Sequence, residues 1–418
     1  MDYLESLNPS QRQAVETVSG PVLVLAGAGS GKTRVLTYRI AHLLSCHQVP
    51  PYRILAVTFT NKAAQEMKER VINLVGPAAE SVWMGTFHSL CVRILRADGD
   101  KLGYQRNFQI FDTTDQVAVI KDCLTELNLD PKRFDPRSLL SSISRAKDQL
   151  LTPSQYEAQA ADFWESKVAQ VYAKYQRKLE KNNAVDFDDL IMLTVMLLRN
   201  NTAVREKYQN RFEYIMVDEY QDTNRAQYEL IHLLAAVHEN LCVVGDEDQS
   251  IYAFRGADIR NILDFEKDFP HAKVIKLEEN YRSTQRILDA ANSVIANNTE
   301  RKPKELWTSN PPGELVTFYQ GINERDEAAF IASQIESLAR KERRSLSEFA
   351  LLYRTHAQSR VFEEEFMRRG IAYRIVSGLR FYERKEIKDL LAYLRLVHNP
   401  DDDYSFLRVV NVPRRGIG

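Results

Sequence analysis

One stretch near the N-terminus limits what the chain can fold into more than any other. The apolar run Val22–Ala26 passes directly into Ala26-Gly27-Ala28-Gly29-Ser30-Gly31-Lys32-Thr33, after which Val35, Leu36 and Ile40 recur at helical spacing. A glycine-rich turn between a strand and a helix lets backbone N–H groups close on a phosphate, and the helix N-terminus adds partial positive charge. In that setting Lys32 reaches the β- and γ-phosphates and the Thr33 hydroxyl ligates Mg²⁺. The first position is Ala26 where the strict pattern has Gly. The stretch predicts a nucleoside triphosphate site on a P-loop α/β fold, without saying what the energy drives.

The rest of the chain supports that class. Short β-rich runs alternate with helix-periodic segments, the mark of βαβ units and a doubly wound parallel sheet. Strands are expected at Val22–Ala26, Ile54–Thr58, Val82–Gly85, Tyr214–Val217, Leu241–Val244 and Val274–Leu277. Ala63, Met67, Val71 and Leu74 mark a helix that Thr60 and Asn61 can cap. From about Tyr104 to Asp186 the pattern is helical throughout (Gln116–Leu127, Pro136–Leu150, Ser154–Lys181), an inserted subdomain. After Arg282 the alternation resumes with helices Gln285–Asn297, Glu324–Lys341, Ser359–Arg369 and Arg384–Val397 and strands Val316–Tyr319, Phe349–Tyr353 and Tyr373–Val376. The acidic turn Asp401–Asp403 follows.

A Mg²⁺–ATP site also needs carboxylates on a neighbouring strand, and Tyr214–Val217 delivers Asp218-Glu219 at its C-terminal end. Asp218 would hold Mg²⁺, and Glu219 would orient and deprotonate the attacking water. Taken alone, the pair reads equally as a solvated acidic turn. Gln249, in Val244-Gly245-Asp246-Glu247-Asp248-Gln249, leaves another strand end; an amide can donate to a phosphate oxygen and accept from water, so it suits reporting a γ-phosphate. A turn rich in Asp and Gln is more often only a polar loop.

Phe59, Thr60, Asn61, Thr86, Phe87, His88, Tyr252, Phe254 and Arg255 all fall at or just beyond strand ends. Aromatic faces for bases, with hydroxyl, amide and cationic donors for phosphates, are what a sequence-tolerant single-strand groove needs. Singly, each aromatic reads as core packing and His88 as a turn residue. Global charge is silent on the matter, since 56 Lys+Arg balance 57 Asp+Glu. The cluster Arg340, Lys341, Arg343 and Arg344 reads as a solvated helix end. Cys46, Cys91, Cys123 and Cys242 lie far apart without a CxxC pair, so they read as small buried hydrophobes in a reducing compartment. The acidic start and the lack of any apolar run near ~18 residues point to the cytoplasm and to no membrane partner.

Seven segments taken in order carry a family resemblance: Leu7–Gln11, Ala26–Thr33, Ala56–Ala64, Gly85–His88, Val217–Asp222, Gly245–Arg255 and Leu277–Thr284. Together they resemble successive motifs of the UvrD/Rep/PcrA superfamily 1 DNA helicases, and the whole chain is similar to the N-terminal part of such enzymes, PcrA-like in type. Tyr353–Arg360 and Phe381–Asp389 also resemble family segments, with Arg360 facing DNA or a carboxylate. Phe254 stands where the family commonly has Trp, a smaller ring with less stacking overlap.

The resemblance implies an ATP-driven motor that moves 3′→5′ along single-stranded DNA and separates duplex at a junction, acting as a monomer in replication and repair. It implies that Gln11 reads the adenine edge and that Ala26, Gly27, Ala28, Gly29, Ser30, Gly31, Lys32 and Thr33 hold the triphosphate. It makes Gln249 the γ-phosphate sensor, stacks Tyr281 on adenine and brings Arg282 to the γ-phosphate from across a cleft. The implied domains are 1–103 with 187–280 as a first RecA-like motor domain, 104–186 as the helical insertion, 281–380 as an incomplete second RecA-like domain and 381–418 as the start of a helical subdomain. Family members continue well past this length, so a fragment that binds ATP but unwinds poorly is the expectation. Two alternatives stand beside the motor: the helicase subunit of a helicase–nuclease recombination complex, and a P-loop ATPase acting on protein partners.

Overall fold

The computed structural model describes residues 3–299, 301–376, 385–400 and 402–417. Its strands are β1 (Val22–Ala26), β2 (Ile54–Thr58), β3 (Trp83–Thr86), β4 (Gln109–Ile110), β5 (Ala184–Val185), β6 (Tyr214–Val217), β7 (Leu241–Gly245) and β8 (Lys273–Leu277). Every residue of β1, β2 and β7 is buried. Runs of that kind arise when both faces of a parallel sheet are covered. The main sheet has the order β3-β2-β6-β7-β1-β8, and all of its pairings are parallel. β1 lies between β7 and β8, with Leu25 opposite Gly245 and Ala26 opposite Leu277.

Side chains alternate across each strand, so β1 supplies two cores. Leu23 and Leu25 pack with Leu55, Val57, Phe87, Ile94 and Leu234 on one face. Val22, Val24 and Ala26 pack with Val35, Leu36, Ile40 and Met67 on the other. The helices that cover these faces are α1 (Pro9–Glu16), α2 (Lys32–Ser45), α3 (Asn61–Val75) and α4 (Phe87–Asp98) from the first part of the chain. Thr60 caps α3, its hydroxyl accepting from the Ala63 N–H at 3.1 Å.

The insertion folds as α5 (Thr113–Glu126), α6 (Pro136–Asp148), α7 (Pro153–Gln159) and α8 (Phe163–Lys181), closed at its root by the two-residue ladder β4–β5. The single helix expected over Ser154–Lys181 is two, because Asp162 turns its carboxylate to the Glu165 N–H at 2.7 Å and starts α8 afresh. Next come α9 (Phe187–Asn200), α10 (Thr202–Arg211), α11 (Arg225–Ala235), α12 (Arg260–Leu263), α13 (Phe265–Asp268) and α14 (Gln285–Ile295). The last four are α15 (Glu324–Lys341), α16 (Ser359–Arg369), α17 (Lys385–His398) and α18 (Asp403–Val409).

The joint between insertion and sheet domain is electrostatic and buried. Lys147, at the end of α6, has a side chain 0% exposed and lies 2.7 Å from both Asp186 Oδ2 and Asp189 Oδ1. Tyr175 of α8 donates to Asp186 at 2.9 Å, and Gln176 to Asp189 at 3.2 Å. Burial opposes the charge on Lys147, and Asp186 and Asp189 outweigh it, so the ammonium's pKa lies above its usual value. The next residue, Asp148, accepts from Asn224 Nδ2 at 2.5 Å. Burial, helped by Asp188 and Asp186, pushes its carboxyl up to about 8.

The chain divides into two compact units, Met1–Gly313 with Leu391–Gly418, and Glu314–Leu390. In the first, Arg395 pairs with Asp115 at 3.0 Å and the Tyr404 ring meets Phe111 edge-on, so the C-terminal residues pack on the insertion. In the second, Ala328 and Ala332 of α15 pack against Phe362 and Phe366 of α16. Helices α15 and α16 fall where the sequence puts them, but the strands expected at Val316–Tyr319, Phe349–Tyr353 and Tyr373–Val376 do not form ladders. A strand exists only against a partner edge, and Val316, Phe318, Leu352 and Val376 are exposed instead. The family-like segment Phe381–Asp389 begins in residues outside those described, as does Asp401. Three cysteines are buried as expected, whereas Cys46 is exposed just past α2. No helix among the described residues is long and apolar enough to cross a membrane.

Two variants test the joint. Lys147→Met leaves two buried carboxylates without their cation and is expected to cost about 3–5 kcal/mol in urea denaturation. Asp148→Asn should change the pH dependence of stability. The folded carboxyl titrates near 8 against an ordinary value of 3.8, so the native state holds the extra proton and wild-type stability falls as pH rises between those values. The variant should therefore match wild type at acid pH and exceed it by about 2 kcal/mol above pH ~8, solvent screening reducing the full linkage of ~1.4 kcal/mol per pH unit.

Candidate functional site

Parallel strands send all their C-terminal loops to one edge of a sheet, where ligand crevices form. Here that edge collects the glycine-rich loop after β1, Asp218-Glu219 after β6, residues 246–249 after β7 and residues 278–282 after β8.

The glycine-rich loop is tied at both ends. The Gly27 N–H donates to Leu277 O at 3.1 Å, and the Ser30 hydroxyl donates back to Gly27 O at 2.7 Å. Gly29 and Gly31 adopt φ of +69° and +93°, a region that side-chain-bearing residues disfavour, and α2 starts at once with Lys32. Gln11 Nε2 donates to Ser30 O at 2.9 Å while its Oε1 accepts from the Asn8 N–H at 3.2 Å, so the amide is fixed beside the loop. From the β8 side, Asn280 Nδ2 donates to Ala28 O at 2.5 Å and the Tyr281 N–H donates to Gly29 O at 3.0 Å. A Cβ on Gly29 would lie 2.6 Å from Asn280 Nδ2 and 2.8 Å from the Arg282 Cβ. Arg282 Cβ therefore sits against the loop, and both belong to the same compact unit. The Tyr281 hydroxyl donates to Glu279 at 2.5 Å and accepts from Asn8 Nδ2 at 2.8 Å, which sets its ring near Gln11.

Lys32 Nζ lies 2.7 Å from Glu219 Oε2. Glu219 adopts φ 49°, ψ 44°, a left-handed conformation of the kind held in place at functional sites. Asp218 is 5% exposed, and burial, with the charge on Glu219, pushes its carboxyl up to about 6 while Lys32 pulls the other way. The donor set of one ammonium, the Thr33 hydroxyl and two carboxylates around a side-chain-free loop fits Mg²⁺ and a triphosphate.

Gln221 is a member of the site that no sequence signal singled out. It is 1% exposed, donates to Glu219 Oε2 at 3.0 Å and accepts from the Asp246 N–H at 2.9 Å. Asp246 in turn accepts from Gln249 Nε2 at 2.5 Å. A continuous hydrogen-bond path thus runs from Glu219 to Gln249.

The expected nucleic-acid residues divide into two groups. Tyr252 and Phe254 are 38% and 73% exposed, their ring centres 6.0 Å apart, and the Arg255 guanidinium lies 5.3 and 5.6 Å from them. Asn61 is also exposed, in the first turn of α3. The others have structural duties. Phe59 packs edge-on against buried Phe87 at 5.6 Å, the Thr60 hydroxyl caps α3, and the Thr86 hydroxyl caps α4 by accepting from the Ser89 N–H at 3.3 Å. His88 meets Phe187 edge-on at 5.8 Å, and burial lowers its pKa.

Residues 7–270 match the family profile of the UvrD/REP helicase N-terminal domain, and residues 275–418 that of the UvrD-like helicase C-terminal domain. The chain is 60% identical over 415 residues to the ATP-dependent DNA helicase PcrA of Bacillus subtilis, covering 99% of this chain and 56% of that protein. It is 57% identical, over the same share of this chain and 57% of the relative, to the proteins of that name from Staphylococcus aureus and Staphylococcus epidermidis. The chain thus spans about half the length of the curated relatives it matches.

The buried carboxylate offers a stability test. Asp218→Asn removes a charge that its surroundings disfavour, so the nucleotide-free variant should unfold at higher urea than wild type, by about 1–3 kcal/mol at neutral pH.

Proposed function

The chain belongs to the UvrD/REP helicase family, and from that premise we propose that it binds and hydrolyses ATP to drive movement along single-stranded DNA, 3′→5′, and duplex separation at a junction. The observation that carries this reading is the path Glu219–Gln221–Asp246–Gln249, which links the hydrolytic pair to the loop that presents Tyr252, Phe254 and Arg255.

In this reading Lys32, with the backbone of Ala26–Thr33, binds the triphosphate, and Glu219 orients and deprotonates the attacking water. Mg²⁺, held by Thr33 and Asp218, would supply charge neutralisation on the phosphates. Gln11 and Tyr281 recognise adenine, Arg282 adds positive charge at the γ-phosphate, and Gln249 reports its presence. Tyr252, Phe254 and Arg255 hold bases and phosphates, with Asn61, Thr60, Phe59, Thr86 and His88 along the same rim. The domain division that goes with this is a first motor domain over 1–103 and 187–280, an insertion over 104–186, a second motor domain over 281–380 and a helical subdomain from 381. The protein acts as a cytoplasmic monomer in DNA replication and repair.

The test is ATP hydrolysis with and without oligo(dT). Wild type should be stimulated by the single strand, and Lys32→Ala should lose hydrolysis in both conditions. Phe254→Ala should raise the DNA concentration for half-maximal stimulation about tenfold, the loss of one stacked base. An ATPase rate that single-stranded DNA leaves unchanged would refute the motor reading and favour an ATPase acting on protein partners.

A further inference from the structure

Past α14 the chain lies as a strap, residues 301–308, along the edge of the candidate site. It is fastened throughout. Lys276 Nζ donates to Pro303 O at 2.6 Å and Asn292 Nδ2 to Leu306 O at 2.9 Å. The Asn280 N–H donates to Trp307 O at 2.7 Å, and the Trp307 N–H to Glu278 O at 3.1 Å. Leu306 presses on the glycine-rich loop so closely that a Cβ at Gly27 would collide with it.

The centre of the strap is Lys304. Its side chain is 2% exposed, and its Nζ lies 2.8 Å from Asp246 Oδ1, from Glu247 Oε1 and from Asp248 Oδ2. Three consecutive carboxylates thus converge on one ammonium, which has three protons to give. Arg301 adds a second cation at 2.7 Å from Asp248 Oδ2. Left alone, three neighbouring buried carboxylates would repel one another and splay the loop. Asp246 divides its two oxygens, Oδ1 to Lys304 and Oδ2 to Gln249 Nε2, while its N–H is held by Gln221.

We propose that Lys304 is a positioning residue for ATP hydrolysis: through Asp246 it holds the Gln249 amide at the γ-phosphate position, and it screens the Asp246–Asp248 carboxylates from the phosphate. This rests on the nucleotide reading of the site given above. The cost of losing Lys304 falls on the triphosphate state. An ADP has no γ-phosphate for Gln249 to meet, and the diphosphate is held by Ala26–Thr33, which Lys304 does not touch.

The experiment is calorimetric titration of the 418-residue chain with ADP and with the non-hydrolysable analogue AMP-PNP, both with Mg²⁺, alongside steady-state ATPase kinetics. In Lys304→Met, AMP-PNP affinity should fall by about tenfold or more while ADP affinity stays within about threefold. The ATPase kcat should fall with it, and Lys304→Arg, which keeps the charge, should recover part of both. Combined with Gln249→Ala, Lys304→Met should add little, because two residues acting through one amide are not additive. Should Lys304→Met give no cooperative melt, Asp246→Asn carries the same test; it keeps the shape and leaves two carboxylates for two cations. A ratio of AMP-PNP to ADP affinity equal to wild type, or an equal loss for both nucleotides, overturns the role of Lys304. A wild-type chain that binds neither nucleotide overturns the nucleotide reading itself.

Discussion

The parallel pairing of β1 with β7 on one side and β8 on the other is the constraint on which the rest depends. With Leu25 opposite Gly245 and Ala26 opposite Leu277, three strands end at the same level. The loops that follow have no choice but to meet. The glycine-rich turn is thereby hydrogen-bonded to β8 through Gly27 and to the next loop through Asn280 and Tyr281. On the other flank, Gln221 closes the distance between the acidic pair and Asp246. Gly27 and Tyr281 meet their partners through backbone N–H groups that the register of the sheet has already placed, and the side-chain amides of Asn280 and Gln221 span the remaining gaps.

Pattern alone revealed most of this frame. Short runs bounded by turn signals marked every strand of the main sheet to within a residue, most plainly β1, β2 and β7, where cover on both faces leaves no exposed position to blur the limits. The positions of Asp218, Glu219, Lys32 and Thr33 just past strand ends, with Lys32 meeting Glu219, could be expected because the chemistry proposed for them requires fixed offsets from strand ends. Those of Gln221 and Lys304 could not, for opposite reasons. Gln221 stood in plain view inside a motif, but burial, and not residue type, makes a bridging amide out of a polar loop residue. Lys304 lies in a polar, irregular stretch remote in sequence from Asp246–Asp248, and long-range ion pairs carry no local signature.

The second compact unit shows where such reading stops. Helices α15 and α16 followed from their own periodicity and pack through Ala328, Ala332, Phe362 and Phe366. The three strand-like segments beside them have equally clear composition. A helix completes its hydrogen bonds within one segment, whereas a strand borrows them from a neighbour, so periodicity predicts the first and only permits the second. The same distinction applies to Thr60 and Thr86. Position at a strand end does not reveal that each hydroxyl also starts a helix by accepting from a backbone N–H.

The contact between Lys32 and Glu219 has a consequence for energetics. Lys32 and Glu219, the groups proposed to meet a phosphate and to act on water, are ion-paired with each other. In the proposed site a phosphate reaching Lys32 would swap one anion for another around one ammonium, and its affinity would be the difference between two ion pairs. The same exchange would release Glu219 Oε2, which Lys32 and Gln221 both contact, from one of its two partners.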